Sequence, residues 1–570
     1  MPQTRHERER ERESSARLNP SATTNFQTNL TKTNKNHTNC FLPYFAKAKQ
    51  NFFAKYLILA IFLFIFCGIL VSFCRYTFNL DDIWMWLKIY DKSLILDQQF
   101  NQNIGRFWIL GLMDLNLLMQ ISNSPYFFFC FNALCVIVFA ISYTKILHLT
   151  NINHFQNQLI TIAICLSYGF CVVNFGICYP ERNLIVFISL FMLATFFVVY
   201  HSNKFAFCAG ILALNVAIYL KEPVFISAFV IGVILFIGSF KSDKFAMKYS
   251  LAICASSITY AILYLILIFP YRGIKTYGRY TQNTDIALEN LRGILNYAIN
   301  DGLVVIFLSA LALRRIYGIW FKGEKFQVFF DAFLAGAVVY FLVFVKLGIF
   351  ESYYLLPCYV FGAVSVLYFR KYLKNIFIKI AFIVGIFGFI TSNIPSGIYT
   401  MINLKAMGVQ FHQALAKSAD YINSRKHTNI YFDGIGRGRE IYAEWYASYF
   451  GEYLEKLYGA KNFDLRTKEP NLKDFTINKN HRWSFKNTLT TSAPKSGDLL
   501  ILNNTSVYNS KIDLNKYELF FTSDFPTMPY IALKPILKYL NMQFFGVKHN
   551  ILGHQNIFKF PLRTYIFIAK

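Results

Sequence analysis

The sequence predicts a polytopic α-helical membrane protein with about eleven transmembrane helices and a small extracytoplasmic α/β domain at its C-terminal end. Three observations predict it. Of the 570 residues, 55% are hydrophobic and 18% aromatic, more apolar than an ordinary soluble domain. The apolar residues gather into runs long enough to cross roughly 30 Å of hydrocarbon. From about residue 396 the composition turns polar, and short apolar stretches alternate with amphipathic ones.

Residues 1 to about 50 open with "RHERERERESS". Alternating Arg and Glu cannot bury apolar surface, so this segment reads as a disordered cytoplasmic tail. The apolar run behind it is too long for a signal peptide and lacks a small-residue cleavage site. The transmembrane region, 51–395, then holds apolar runs at 54–74, 126–147, 156–178, 183–202, 204–220, 223–240, 248–270, 302–319, 328–348, 353–369 and 375–395. The stretch 204–240 is split at "KEP", because Pro223 breaks a helix and two charges at mid-membrane are costly. "IGRFWILGLMDLNLLMQ" (104–120) carries Arg106 and Asp114 and reads as interfacial rather than spanning.

Lys47, Lys49 and Lys55 precede the first run. With the N-terminus in the cytoplasm, Lys241, Lys244 and Lys248, then Arg314, Arg315, Lys322 and Lys325, then Arg370, Lys371 and Lys374 all fall in cytoplasmic loops. This follows the positive-inside rule. The exception is the longer loop 271–300, assigned outside. Much of the net charge of +26 is therefore loop Lys and Arg that orients helices, and nucleic acid is not an expected partner. The eleven cysteines include no C-x-x-C pair and read as small core hydrophobes. No zinc spacing, HExxH or nucleophile elbow occurs.

An odd number of crossings places 396–570 outside. There "NIYFDG", "DLLILN", "YELFFTS" and "RTYIFIAK" read as strands, and "REIYAEWYASYFGEYLEKLYG" as a helix with aromatics at helical spacing. "DGIGRGRE" (433–440) lies between strand and helix, as a phosphate-binding turn does, but lacks G-x-G-x-x-G and reads as a turn feeding a helix.

In this topology charged residues collect at one face. Asp81 and Asp82 follow the first apolar run and open the first outer loop, 75–125. Glu181 and Arg182 lie in "YPERN", Lys221 and Glu222 in "LKEP", and Arg272, Lys275 and Arg279 beyond 270. Glu351 lies in "FESYYLLP". Carboxylates beside cations at a membrane face bind a phosphate headgroup and activate a hydroxyl; the competing reading is loop charges that cap helices.

An acidic pair at the start of a large outer loop resembles the GT-C superfamily of membrane glycosyltransferases, which take a sugar from a polyprenyl-phosphate carrier. "GRFWILGLMDL" (105–115) is similar to the Gly-Arg segment of several bacterial members, including O-antigen glucosyltransferases. "YYLLP" (353–357), with Tyr353 and Tyr354, resembles a late-helix motif of aminoarabinose and protein O-mannosyl transferases. Where that motif has a basic residue, this chain has Glu351-Ser352, and no WWDYG-like sequence is present. The resemblance implies a GT-C-like fold and a polyprenyl-phosphate-linked sugar donor. It further implies a glycan, lipid or protein acceptor at the outer surface of a bacterial inner membrane. It favours Asp81 as the base of an inverting transfer.

The leaving group is a lipid phosphate and needs positive charge, whereas the acceptor hydroxyl needs a base. Neighbours on a helix point about 100° apart, so one acid addresses the hydroxyl. The other caps the following helix, pairs with a cation or joins a metal site, and a divalent metal is compatible with the pair. Both can equally be N-caps on "DDIWMWLKIYD". Arg106, Arg182, Lys221, Arg272 and Arg279 are phosphate candidates, Arg being the better bidentate partner. Glu181 and Glu222 read either as groups that orient those cations or as simple salt-bridge partners. Trp84, Trp86 and Trp108 fit an interfacial belt or a sugar-stacking surface. A transporter or lipid flippase is the alternative class, and an inactive scaffold for envelope assembly a third. No half-to-half repeat is visible, and the charges sit at helix ends rather than centres.

Overall fold

The protein is described by a computed structural model that covers residues 42–77, 80–96, 99–102, 105–149, 153–240, 243–271, 286–349, 351–432, 440–467, 490–491, 494–503, 513–545 and 557–570. The chain divides into two units, Met1–Leu57 and Ile58–Lys570.

Helix α1 (Leu42–Val71) begins inside the stretch that reads as tail. The connection after it holds α2 (Leu80–Tyr90), a hairpin of β1 (Phe100–Asn101) and β2 (Arg106–Phe107), and α3 (Met113–Ile121). Next come α4 (Pro125–His148), α5 (His154–Cys165), α6 (Tyr168–Phe175), α7 (Glu181–His201), α8 (Lys204–Leu220), α9 (Val224–Ser239) and α10 (Lys244–Leu267). α11 (Ile286–Asn300) precedes a π-helical turn, Leu303–Leu308, that runs into α12 (Ser309–Lys322). α13 (Val328–Leu347) and α14 (Leu356–Tyr368) follow. α15 (Ile376–Gly388) passes through a second π-helical turn, Phe389–Asn393, into α16 (Ile394–Asn423).

The protein is a helical, multi-pass membrane protein. Among the described residues, seven helical segments are long and apolar enough to cross a membrane, or eight if α5 and α6, bent by 62°, form one span. That number is smaller than the eleven runs, for a local reason. Each run is helical, but Tyr56–Val71, α8 and α9 are shorter apolar helices. The run 156–178 breaks where the Ser167 hydroxyl accepts the Phe170 N–H and starts a new helix. Similar caps start other helices: the Asn203 side chain accepts from Ala206, and Asp243 from Phe245 and Ala246. The break at Lys221–Pro223 falls where Pro223 predicts it.

α15 and α16 make a continuous segment, Ile376–Asn423, of 48 residues, about 70 Å long at the α-helical rise. The sequence places a boundary near 396. The helix instead runs on, because 396–423 keeps an apolar face that packs inward, including Met401, Phe411, Ala414, Leu415 and Ile422.

Beyond it stands a six-stranded sheet. Its strands are β3 (Thr428–Phe432), β4 (Phe463–Thr467), β5 (Thr490–Thr491), β6 (Leu499–Leu502), β7 (Tyr517–Thr522) and β8 (Tyr565–Ala569), ordered β5-β4-β3-β6-β8-β7. The first four are parallel, and β8 runs antiparallel to both β6 and β7. β6 is buried throughout, as a strand covered on both faces must be. Helix α17 (Glu440–Tyr458) covers β3 through Phe450 and Tyr446, and α18 (Leu533–Phe545) precedes β8. The glycine-rich 433–439 lies outside the described residues.

Candidate functional site: a buried charged cluster at one end of the helices

The connections at 77–121, 176–182, 220–223 and 351–354 meet at one end of the helices. Asp82, on the first turn of α2, is fully buried. Its Oδ1 accepts the backbone N–H groups of Ile177 (3.1 Å) and Cys178 (2.9 Å), and its Oδ2 accepts the Thr77 hydroxyl at 3.3 Å. Among the described residues, Asp82 thus neither caps its own helix nor meets a cation. It fixes the loop that leads into α7. Burial pushes its carboxyl above the usual carboxylate range, and the hydrogen bonds from Cys178, Ile177 and Thr77 oppose that shift. The side chain of Asp81 lies outside the described residues, as do Arg272, Lys275 and Arg279.

Trp86 is a core residue rather than part of a belt or a sugar platform. It is completely buried, its Nε1 donates to Thr77 Oγ1 at 3.2 Å, and its ring meets Phe128 edge-on. Trp84 is half-buried, with the Lys88 ammonium 5.8 Å from its ring.

The loop held by Asp82 delivers Glu181 and Arg182 to the N-terminus of α7, both buried. Lys221 Nζ, at the end of α8, lies 2.8 Å from Glu181 Oε1, a charge pairing without a well-directed hydrogen bond. The same ammonium sits over the rings of Trp108 (5.0 Å) and Tyr354 (4.6 Å). The Arg106 guanidinium is 5.3 Å from the Trp108 ring, so Trp108 is bracketed by two cations. Glu222 Oε1 accepts the Phe107 N–H at 3.1 Å, and Tyr260 donates to the Phe107 carbonyl at 2.5 Å. These bonds seat the hairpin that carries Arg106 on α8 and α10. The Tyr353 ring meets Tyr179 edge-on (5.0 Å) and lies tilted against Tyr354 (4.3 Å). Glu351 stands at the edge with an exposed side chain, and its carbonyl accepts the Tyr297 hydroxyl at 3.1 Å.

Arg182 donates through Nη2 to Oδ2 of Asp114. Asp114 is the member that sequence reasoning misses as a site residue. A signal for it exists: a lone carboxylate in an otherwise apolar amphipathic stretch needs a cation when it is buried. Several buried polar atoms here make no hydrogen bond among the described residues: Nε and Nη1 of Arg182, Nε1 of Trp108, Oδ1 of Asp114 and the Glu181 carboxylate. Buried polar groups are ordinarily paired, so such a concentration is unusual. No group of three or more His, Cys, Asp or Glu arranged to hold a metal occurs among the described residues.

No protein-family model matches the chain, and no curated protein matches it either. The functional reading therefore rests on the cluster. The N–H groups of Arg182 and Trp108 that make no hydrogen bond among the described residues suit an anion, and Asp114 Oδ1 and Glu181 Oε2 suit hydroxyls.

Proposed function

We propose that the chain is a membrane glycosyltransferase that moves a sugar from a polyprenyl-phosphate carrier to an acceptor outside the cytoplasm. One observation carries this reading: in one cluster, among the described residues, buried donors of Trp108 and Arg182 and the buried oxygens Asp114 Oδ1 and Glu181 Oε2 make no hydrogen bond, beside the ion-paired Lys221 and Glu181 Oε1. A glycosyl phosphate offers the complementary set, with phosphate oxygens for the guanidinium and indole N–H groups and sugar hydroxyls for the carboxylates. Arg182, with Lys221 and Arg106, supplies the positive charge that a departing lipid phosphate needs. Asp81, on the same short helix as Asp82, is the proposed base, and Asp82 holds the loop that positions Glu181 and Arg182.

The proposed topology has eleven crossings, with the bent α5–α6 pair and the three shorter apolar helices each crossing once. The N-terminus is cytoplasmic and the C-terminal sheet extracytoplasmic, in a bacterial inner membrane. A periplasm-active reporter should be active when fused after residue 424 and silent after residue 243. The opposite pattern overturns the orientation.

The activity is tested with protein in nanodiscs, polyprenyl-phosphate-linked hexoses and an envelope extract as acceptor. Wild type should release polyprenyl phosphate. Asp81→Asn should reduce turnover by about 100- to 10,000-fold while retaining the donor lipid, whereas Arg182→Gln should weaken donor binding. If no donor is consumed and polyprenyl phosphate does not bind, the reading fails.

The alternative, a transporter or flippase, draws on a second polar group. Buried Asp301 accepts from Val304 N–H (3.3 Å) and Asn393 Nδ2 (3.3 Å). Asn393 also pairs with Tyr359 at 2.5 Å and accepts the Tyr168 N–H at 2.7 Å. Both π-helical turns adjoin it, and such turns recur at functional sites. Lipid-analogue scrambling in proteoliposomes, abolished by Asp301→Asn, would select this class instead.

A further inference from the structure

Helix α18 turns the wrong way round for a helix in water. Ile536, Tyr539, Leu540 and Phe544 fall at i, i+3, i+4 and i+8, on one face. All four are exposed, Phe544 to 75%. The other face carries Lys534 and Lys538 near Asn541. Both lysines are partly buried. A helix whose large apolar side chains face outward while Asn541 opposite them meets water is stable where the outside on the apolar side is itself apolar.

The height of α18 is fixed by the segment before it. Residues 524–530 run alongside α16 in the reverse direction. Gln413 donates to Asp524, Gln410 to the Phe525 carbonyl, Asn403 accepts from the Met528 N–H, and Ser396 pairs with Tyr530. From Gln413 to Ser396 this strap descends about 25 Å along the helix. It delivers α18 against the turn Phe389–Asn393 and against α11. At that level the spanning helix exposes Phe387 and Ile390, and α11 exposes Leu291 and Leu295, one helical turn apart. Ile531 and Phe560, flanking α18, are exposed as well. The apolar stripe of α18 thus lies on a helix that packs against a segment apolar enough to cross a membrane and exposing apolar residues at the same level.

We propose that α18, together with α11, lies in the plane of the membrane surface where the segment Ile376–Asn423 emerges. Its apolar stripe is seated among the lipids of that leaflet. The occupant is lipid because the stripe lies beside the exposed apolar residues of a membrane-spanning helix; the exposed Gln543 on the same face fits the headgroup level. The sheet region is therefore held to the bilayer at two places, through α16 and through α18. This inference stands apart from the proposed sugar transfer.

The test uses the full chain in nanodiscs whose lipids carry bromine at mid-chain. Phe544→Trp, Ile536→Trp and Asn541→Trp are compared with wild type, and the added fluorescence is followed. At 544 and 536 the increment should be quenched severalfold more by brominated lipid than by aqueous iodide; at 541 the order should reverse. Two substitutions on the stripe guard against one that perturbs folding, and both sites are exposed. Stronger iodide quenching at 544 and 536 would place the stripe in water and overturn the proposal. Protection of both positions from either quencher would mean a protein partner or a second copy covers it, which also overturns it.

Discussion

Lys221 Nζ stands 2.8 Å from Glu181 Oε1, joining the end of α8 to the first residue of α7. Glu181 is almost fully buried and Lys221 nearly so. Removing one charge strands the other in a medium of low dielectric, and breaking a buried pair costs about 3–5 kcal/mol. Lys221→Met should lower the unfolding midpoint in detergent strongly. The double change Lys221→Met with Glu181→Gln should recover most of the loss. If the double variant is as unstable as the sum of the singles, the pair is not coupled.

Asp82 should matter through its acceptors more than its charge. Asp82→Ala leaves the buried N–H groups of Ile177 and Cys178 unpaired, at about 1–3 kcal/mol each. Asp82→Asn keeps one carbonyl oxygen and should cost less. Equal stability of the two variants in the same unfolding assay would show that the loop is held by other contacts.

Gly397 faces the bend between α5 and α6. A Cβ there would come within 2.1 Å of the Leu166 carbonyl oxygen, a backbone atom that cannot swing aside. Gly397→Ala should therefore destabilise by about 1–3 kcal/mol or more. Gly68 is the control, because a methyl group added there would meet nothing within 4 Å. Gly68→Ala should be neutral or slightly stabilising in a helix. Similar unfolding midpoints for both would refute the close approach.

Glu452 on α17 gives the contact between α17 and α2 a pH dependence. Burial raises its carboxyl from 4.5 to about 8; Lys456 opposes the rise, while Glu455 and Asp91 add to it. Between those values the folded chain holds a proton that the unfolded chain has lost. Its contribution to stability is thus full below the unfolded value and declines as pH rises through about 8. Melting temperatures should fall from pH 5 to pH 8.5, and Glu452→Gln should flatten that slope. An unchanged slope would assign the titration elsewhere.

The sequence makes some of this legible and hides the rest for physical reasons. Apolar run length locates the helices, because hydrocarbon thickness sets a lower bound that composition must meet. Pro223 marks the α8–α9 break because it lacks an N–H. Ser167 marks the α5–α6 break just as physically, but a single hydroxyl inside an apolar run looks like a tolerated core residue until its cap is seen. The convergence of Glu181, Lys221 and Tyr354 is legible only as a shared face. Which cation pairs with which acid depends on distances that no periodicity encodes, so the Asp114–Arg182 pair is invisible to pattern. The role of Asp82 is hidden likewise, since its partners are backbone N–H groups 95 and 96 residues away.

The unbroken segment Ile376–Asn423 makes the protein torsionally stiff between bilayer and sheet. Each residue of an α-helix advances the azimuth by about 100° and the height by about 1.5 Å. The bearing of the sheet is therefore a matter of angular phase, counted in residues from the membrane. The strap at 524–530 reads that phase along α16, and Tyr453, whose hydroxyl donates to the Ile83 carbonyl at 3.1 Å, ties α17 back to α2. Length changes in this rod act as rotations. Those near a whole number of turns, such as about seven residues, restore the bearing of the sheet but still shift its height by about 10 Å, so the length of this rod sets both the angle and the level at which α18 and α17 meet the rest of the protein.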